Sequence, residues 1–231
     1  AQGLAGKLVA DIRIDGAGKK VTRSDNCRVS DLSVSSDNLT FTYEAKSLPY
    51  PIDTSYYDNE KHTQADALSV IPFMDEMNYE GLSVSGLSDG YYGLTIGGEF
   101  IGRFTARELE RGINMALLQN TPQYKQAMKI RQMNEERWLK ERKMREFYWV
   151  EYNLMRKTGM LWACNEAAVD TLRKYRPHDI FLQWNGDLWL QYMHKGIRED
   201  CVNEQQDLVN QIYEQNKPIP LRIEIKKFTD L

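Results

Sequence analysis

Cysteine is scarce in this sequence, with three residues in 231. Cys27, Cys164 and Cys201 are too widely spaced for a CxxC-type metal or redox motif. Cys164 and Cys201 could pair and leave one thiol over, but a chain that can bury a sizeable core does not need such a cross-link. We therefore expect three free, buried thiols.

Histidine is equally scarce, and the three imidazoles belong to His62, His178 and His194. No two of them stand three or four residues apart, so the sequence offers no helical metal site. Each could act as a general base, but surface or core positions are the simpler expectation. We predict neither a metal nor a cofactor.

Long apolar runs and an excess of one charge are also absent. No run approaches the roughly 18 residues of a membrane span, and the net charge is -3. A nucleic-acid partner and a polybasic membrane segment are therefore not expected. The start at residues 1–6 has neither an initiator Met nor a signal peptide, and it looks like a helix end with its glycine stop. Two interpretations are open: a cut from a longer protein, or a trimmed or processed terminus.

The first half of the chain alternates between apolar and polar residues, which predicts strands. Two prolines exclude helix from the segment 48–53, and a short helix interrupted near Pro72 is expected over 65–77. The predicted strands cover residues 8–15, 27–34 and 39–45.

Residues 82–87 and 91–96 also alternate, and they flank Ser88-Asp89-Gly90. Because glycine accepts positive φ, an Asp-Gly pair between two such runs predicts a β-hairpin. A second turn at Gly97-Gly98 leads into residues 99–104.

The second half changes to helical periodicity. Thr105 and Glu108 form a capping box for a helix to about residue 118, and Pro122 opens a very long helix with no breaker before Gly159. Further helices are expected at 162–175 and 199–215, and a closing strand at 221–225 is expected to return to the sheet. The predicted fold is α+β, with a small, mostly antiparallel sheet, a β-rich subdomain at 1–104 and a helical subdomain at 105–231.

Two short motifs have the form of hydrolase signatures. Gly86-Leu87-Ser88-Asp89-Gly90 matches G-x-S-x-G, but that elbow needs a strand before the serine and a helix after it. Asn185-Gly186-Asp187-Leu188 is one residue from Gly-Asp-Ser-Leu and lacks the nucleophilic hydroxyl. We interpret the first as a strand-to-strand turn and the second as a turn between helices.

Two stretches of the helical half have both a structural and a functional interpretation. Residues 131–143 mix both charge signs, which is typical of a solvated face with i,i+4 pairs rather than of a nucleic-acid-binding helix. The aromatic residues between Phe147 and Trp162 are expected to pack in the core, and the alternative is a sugar- or lipid-binding groove.

Four segments carry a family resemblance by their order and spacing: residues 47–53 (Ser-Leu-Pro-Tyr-Pro-Ile-Asp), 82–98, 105–116 and 120–127. This succession resembles the C-terminal region of a bacterial subgroup of SGNH/GDSL hydrolases, which are serine esterases and acylhydrolases. The similarity covers residues 1–130 well and the rest loosely.

The resemblance implies that the chemistry lies elsewhere. In that family a Gly-Asp-Ser motif, an oxyanion-hole Gly and Asn, and an Asp-x-x-His motif stand in a flavodoxin-like α/β domain. All of them would precede Ala1, so no catalytic residue is assigned here, the substrate-binding residues are unknown, and the chain alone should be inactive. The family also implies export to the periplasm or the extracellular space, and acyl or acetyl esters, often of carbohydrates, as substrates.

Two functions follow as hypotheses. The chain is the accessory region of such a hydrolase, with the upstream catalytic domain as its partner, or it is a free-standing module whose Trp- and Tyr-rich half binds a glycan or a protein. The first predicts an apolar surface at Leu4, Leu8 and Val9 that is either uncovered or buried by another chain. A self-contained hydrolase using Ser88 is the weakest option.

Overall fold

The computed structural model describes residues 8–53, 56–57 and 62–228. The chain forms two compact units, one of residues 1–130 with 215–231 and one of residues 131–214. We call them the first unit and the helical unit. The predicted α+β class is confirmed, with its long helix and closing strand. The predicted subdomain boundary after residue 104 falls inside strand β9 (Glu99–Thr105), within the first unit.

The first unit contains the described strands, the two short helices and the first residues of the long helix, and the other helices belong to the helical unit. The strands are β1 (Leu8–Asp15), β2 (Lys20–Asp25), β3 (Cys27–Val34), β4 (Asn38–Ala45), β5 (Tyr56–Tyr57), β6 (His62–Thr63), β7 (Tyr79–Ser85), β8 (Tyr91–Ile96), β9 (Glu99–Thr105), β10 (Ile113–Asn114) and β11 (Leu221–Lys227). The helices are α1 (Phe73–Glu76), α2 (Ala106–Arg111), α3 (Pro122–Val150), α4 (Glu166–Tyr175), α5 (Ile180–Tyr192) and α6 (Lys195–Gln215).

Two sheets, rather than the one expected, make up the core of the first unit. The smaller has the order β10-β7-β1-β2, in which β1 and β7 run parallel. The larger has the order β3-β4-β11-β8-β9 and is antiparallel throughout. Strand β2 was not predicted, because its polar sequence has no buried residue to give an apolar alternation. Strand β11 lies between β4 and β8, so the predicted return of the closing strand is confirmed.

The hairpin predicted around Ser88-Asp89-Gly90 is wrong. Strand β7 pairs with β1 and β10, whereas β8 pairs with β9 and β11, so the turn connects two different sheets. An Asp-Gly pair favours a reversal of the chain but does not choose the partner of each strand. The second turn is confirmed: Gly97 and Gly98 have φ of 59° and 85°, and they join the paired residues Ile96 and Glu99.

The core of the first unit is formed by alternate side chains of both sheets. Ile12, Phe41, Leu82 and Ile223 are each fully buried within one cluster. Val9 is 6% exposed and Leu8 is half-buried, so the expected apolar surface is not present at these two positions. Leu4 lies outside the described residues.

A buried carboxyl group lies in the first unit. Glu80 on β7 is fully buried, and the hydroxyl of Tyr43 on β4 donates to it at 2.8 Å. The amide Nε2 of Gln123, in the first turn of α3, is 3.3 Å from each carboxylate oxygen. Loss of solvation raises the pKa of Glu80 to about 7.

Local sequence signals correctly predicted where α2 begins and that the helical stretch near Pro72 is interrupted. The Thr105–Glu108 capping box is present, with the Glu108 amide donating to Thr105 Oγ1 at 3.2 Å. Helix α2 nevertheless ends at Arg111 instead of about residue 118, because Gly112 takes φ 95° and a short strand follows. A 3₁₀ helix (Gln64–Ser69) and α1 flank Pro72, as expected of the interrupted helix.

Helix α3 has 29 residues, which confirms the predicted long helix, and the helical unit begins within it. The charged residues of 131–143 form i,i+4 ion pairs, including Arg137 with Glu141. Five residues of π-helix (Glu151–Met155) follow α3 directly. Among the described residues, no helix has the length and apolar character to cross a membrane.

The turn predicted at Asn185-Gly186-Asp187-Leu188 is wrong, because these residues lie inside α5. Gly186 is buried, and a Cβ there would lie 3.2 Å from Nε of Arg176. The same guanidinium donates to both oxygens of Asp187 at 2.6 and 2.7 Å. The small residue and the carboxylate therefore serve a tertiary contact within the helical unit, not a turn.

Candidate functional site

Ser88 lies exposed in the connection between β7 and β8. Its Oγ accepts a hydrogen bond from Nζ of Lys227 at 2.7 Å and lies 3.1 Å from the hydroxyl of the buried Tyr92. The Tyr92 hydroxyl also donates to the Ser88 carbonyl at 2.9 Å. A strand follows the serine, so the strand-to-helix geometry of a nucleophile elbow is absent here. These contacts fasten the turn to the closing strand.

The three cysteines are free, as predicted, but they differ in burial. Cys201 is buried and Cys27 half-buried, whereas Cys164 is exposed, which corrects the expectation of three buried thiols. Cys164 precedes the N-cap residue Asn165, so it lies in the loop before α4.

Of the two histidines whose side chains are described, one lies beside a cysteine, but neither belongs to a larger cluster of metal-binding side chains. The Nδ1 atom of His194 lies 3.3 Å from Sγ of Cys164, and His178 ends the 3₁₀ helix Arg176–His178. The side chain of His62 lies outside the described residues. Over that described part of the chain, no group of three or more His, Cys, Asp or Glu residues could hold a metal ion.

The aromatic stretch between Phe147 and Trp162 divides into two faces. Phe147 is fully buried in the core of the helical unit, which is the packing role expected. Tyr148, Tyr152 and Trp162 are instead 39%, 46% and 45% exposed. The indole meets both tyrosine rings edge to face, at centroid distances of 6.0 and 5.9 Å. We call these three residues the aromatic cluster.

A buried carboxylate holds this cluster in place. Glu151, the first residue of the π-helix, is 1% exposed. Its carboxylate accepts the backbone N–H of Trp162 and the indole N–H of Trp189, both at 2.8 Å. Trp162 has φ 63°, a left-handed conformation that costs a residue with a side chain about 1–2 kcal/mol. The structure therefore maintains local strain at a half-exposed tryptophan, a pattern that is frequent at functional sites.

A groove of about 360 Å³ opens beside the π-helix. Its volume lies within the range of small-molecule sites. Buried Leu154 and Leu182 contribute to its lining, and Trp149 packs against Phe181 with ring centroids 5.2 Å apart. Its polar lining comprises Asn153, Lys157, Thr158, Tyr175, His178 and Asp179.

The sequence did not single out Glu151, and it gave a groove only as the alternative interpretation of the aromatic stretch. One signal for Glu151 was available. It is the single acidic residue in the segment 147–155, in which most of the other residues are aromatic or aliphatic. The groove had only a partial sequence signal in the aromatic stretch that includes Trp149, because its other walls come from the end of α4 and the start of α5.

Known proteins share the part of the chain that holds these features. Residues 128–217 match the family model of the diltiazem deacetylase C-terminal helical domain. The π-helix, the aromatic cluster and the groove all lie within the matched residues. No curated protein gave a match.

A solved structure extends this similarity over both units. It is described as a gut microbial diltiazem-metabolizing enzyme, is 37% identical in sequence, and superposes with a TM-score of 0.89. The match covers 99% of this chain and 52% of that chain. The chain therefore corresponds to about half of a larger enzyme, its C-terminal part.

Proposed function

We propose that this chain is the C-terminal accessory region of an SGNH/GDSL-type serine ester hydrolase. Its catalytic serine, histidine and aspartate would stand in a flavodoxin-like α/β domain upstream of residue 1. The observation that carries the proposal is the 99% coverage of this chain by 52% of a larger metabolizing enzyme. The order of the segments at 47–53, 82–98, 105–116 and 120–127 supports the SGNH assignment by resemblance.

Acetyl esters are the substrate class that we favour. The matched family model is named after a deacetylase. Removal of an acetyl group from oxygen transfers the acyl group to water, which is the chemistry of a serine nucleophile. Esters of carbohydrates remain a proposal that rests on the SGNH resemblance. A periplasmic or extracellular setting rests on the same resemblance, and cell fractionation with an antibody to this chain tests it.

The activity test compares the full reading frame with the chain 1–231. We expect the full protein to hydrolyse 4-nitrophenyl acetate and the chain alone to match buffer. Replacing the serine of the upstream Gly-Asp-Ser motif by alanine should abolish activity, and Ser88→Ala in the full protein should leave it unchanged. The proposal is wrong if the chain alone is active and Ser88→Ala removes that activity, or if the frame holds no Gly-Asp-Ser and Asp-x-x-His motifs.

The exposed aromatic cluster favours one second candidate, a free-standing glycan- or protein-binding module. Half-exposed Tyr and Trp rings in mutual contact are typical of binding surfaces. A reading frame with a signal peptide directly before Ala1, and no hydrolase motifs, would select this function over the first.

A further inference from the structure

We propose that the groove in the helical unit binds an aromatic ligand that carries an acceptor oxygen, either a carboxylate or an ester carbonyl. The binding is a property of this chain, and the identification of the ligand as a substrate or acid product rests on the proposed ester hydrolase. The groove thereby defines which part of an ester the helical unit would recognise.

The apolar lining of the groove suits a flat ring. Trp149 is half-buried and fixed against Phe181 at a 35° interplanar angle, so its ring is held in position before a ligand arrives. Leu154 and Leu182 are 6% and 3% exposed and add aliphatic surface. A volume of about 360 Å³ has room for a bicyclic aromatic group.

Three hydrogen-bond donors of the groove have no partner within the described part of the chain. They are the exposed ammonium of Lys157, hydroxyl of Tyr175 and ring of His178, none of which forms a hydrogen bond or an ion pair with a described residue. A second ammonium, on Lys174, lies 5.5 Å from the centre of the Tyr175 ring and adds positive charge nearby. A ligand that brings acceptor oxygens would satisfy these donors.

Other polar side chains of the groove form local hydrogen bonds. Oδ1 of Asp179 caps α5, accepting the amides of Phe181 and Leu182 at 2.8 and 3.3 Å. The side-chain amide of Asn153 donates to the Trp149 carbonyl at 3.0 Å, and the Thr158 hydroxyl donates to the backbone. The charges of the lining residues Lys157 and Asp179 cancel, and Lys174, which does not line the groove, adds one positive charge nearby. The groove therefore favours an anion or a carbonyl over a cation.

The π-helix is the element that assembles this site. It begins with Glu151, whose side chain is in the core, and it then contributes Asn153 and Leu154 to the groove. Lys157 and Thr158 follow within the next turn. The same five residues thus support the strained Trp162 and one wall of the groove.

Calorimetric titration of the chain with three naphthalene compounds tests the proposal. The probes are 2-naphthoate, its neutral methyl ester and 2-naphthylmethylammonium, which share the ring and differ in the polar group. We expect the naphthoate and the ester to bind, and the ammonium to bind at least about tenfold more weakly. Lys157→Met should weaken naphthoate about tenfold and the ester less than about twofold, because only the carboxylate pairs with the charge.

Two further variants separate binding from folding. Trp149→Ala should abolish binding of all three probes, and Tyr175→Phe, which keeps the ring and removes one donor, should weaken naphthoate about threefold with unchanged circular dichroism. Lys143→Met is the matched control, since Lys143 is exposed in the same unit and does not line the groove.

Several results would overturn the proposal. These are no naphthoate binding, binding of the ammonium as tight as that of naphthoate, or equal effects of Lys157→Met and Lys143→Met. Because the titration involves no hydrolysis, failure here leaves the proposed esterase untouched. Conversely, an inactive full protein would leave the binding result standing.

Discussion

The carboxylate of Glu151 accepts the backbone N–H of Trp162 at 2.8 Å. This hydrogen bond connects a side chain that is 1% exposed to a residue whose ring is 45% exposed. The bond also crosses from the π-helix to a loop residue with φ 63°. The conformation of the surface tryptophan is therefore determined by a carboxylate in the core of the helical unit.

Removal of one acceptor oxygen from Glu151 should destabilise the helical unit. In Glu151→Gln the new NH₂ group faces an N–H donor, either of Trp162 or of Trp189, so one buried donor loses its partner. We expect a loss of about 1–3 kcal/mol in the free energy of unfolding. All five tryptophans lie within residues 131–214, so the fluorescence change in urea reports this unit.

Glu199→Gln is the control for that measurement. Glu199 is exposed and pairs with Lys195 at i,i+4, so its loss should cost no more than about 0.5 kcal/mol. Equal losses in the two variants would show that the Glu151 carboxylate has no special role.

Glycine should be more stable than alanine at position 162. Ordinarily glycine is the less stable of the two, because it loses more conformational entropy on folding. At φ 63° an alanine meets the left-handed penalty and a glycine does not. Trp162→Gly should therefore unfold at a higher urea concentration than Trp162→Ala, with a difference of about 1 kcal/mol, and the opposite order would indicate that the backbone at this position carries no strain.

The stability of the first unit should fall as the pH rises from about 4.5 to about 7. Burial raises the pKa of Glu80 from 4.5 to about 7, so in this window the folded state binds a proton that the unfolded state releases. Folding then becomes less favourable with each pH step, and the loss is complete above the folded pKa. At about 1.4 kcal/mol per pKa unit, the change is on the order of 3 kcal/mol.

Hydrogen exchange of peptides from β7 and β8 measures this effect, and Glu80→Gln is the comparison. The variant carries no titrating group at position 80, so its protection should not show the decline between pH 4.5 and 7. The fold can also accommodate this variant. Oε1 of Gln123 is a buried acceptor with no partner among the described residues, and after the Gln123 amide flips this oxygen can accept the new NH₂ group. Parallel pH profiles for the two proteins would contradict the assignment.

The three thiols should react with iodoacetamide in a fixed order. Cys164 is exposed and lies against an imidazole, so at pH 8 it should be alkylated first. Burial raises the pKa of Cys27 to about 11, which leaves little thiolate, and Cys201 is buried. Mass spectrometry of the native chain should show one rapid addition that Cys164→Ser removes, and rapid labelling of Cys27 would contradict this order.

Elements with local causes could be predicted from the sequence. The alternation in β1, β3 and β4, the Gly97-Gly98 turn and the Thr105 capping box each depend on residues close together in the chain. The long helix could be predicted for the same reason, since Pro122 opens it and no breaker follows for many residues. Pattern and turn chemistry act at this range.

Features with distant causes could not be predicted. The partners of β7 and β8 depend on β1 and β11, which are far away in sequence. From the sequence Gly186 indicates a helix break, and only the tertiary structure shows that it lies within α5 with Arg176 packed against it. The groove likewise depends on three segments that only the tertiary fold brings together, so no spacing rule could reveal it.

Strand β11 has a consequence for how the protein is made. It pairs with β4 on one side and β8 on the other, and it is synthesised after the whole of residues 131–214. The helical unit is therefore synthesised while β4 and β8 each still lack β11 as a neighbouring strand. Those strands then have open edges that can pair with other nascent chains. The pairing of residues 221–227 with β4 and β8 is therefore the step that removes both open edges.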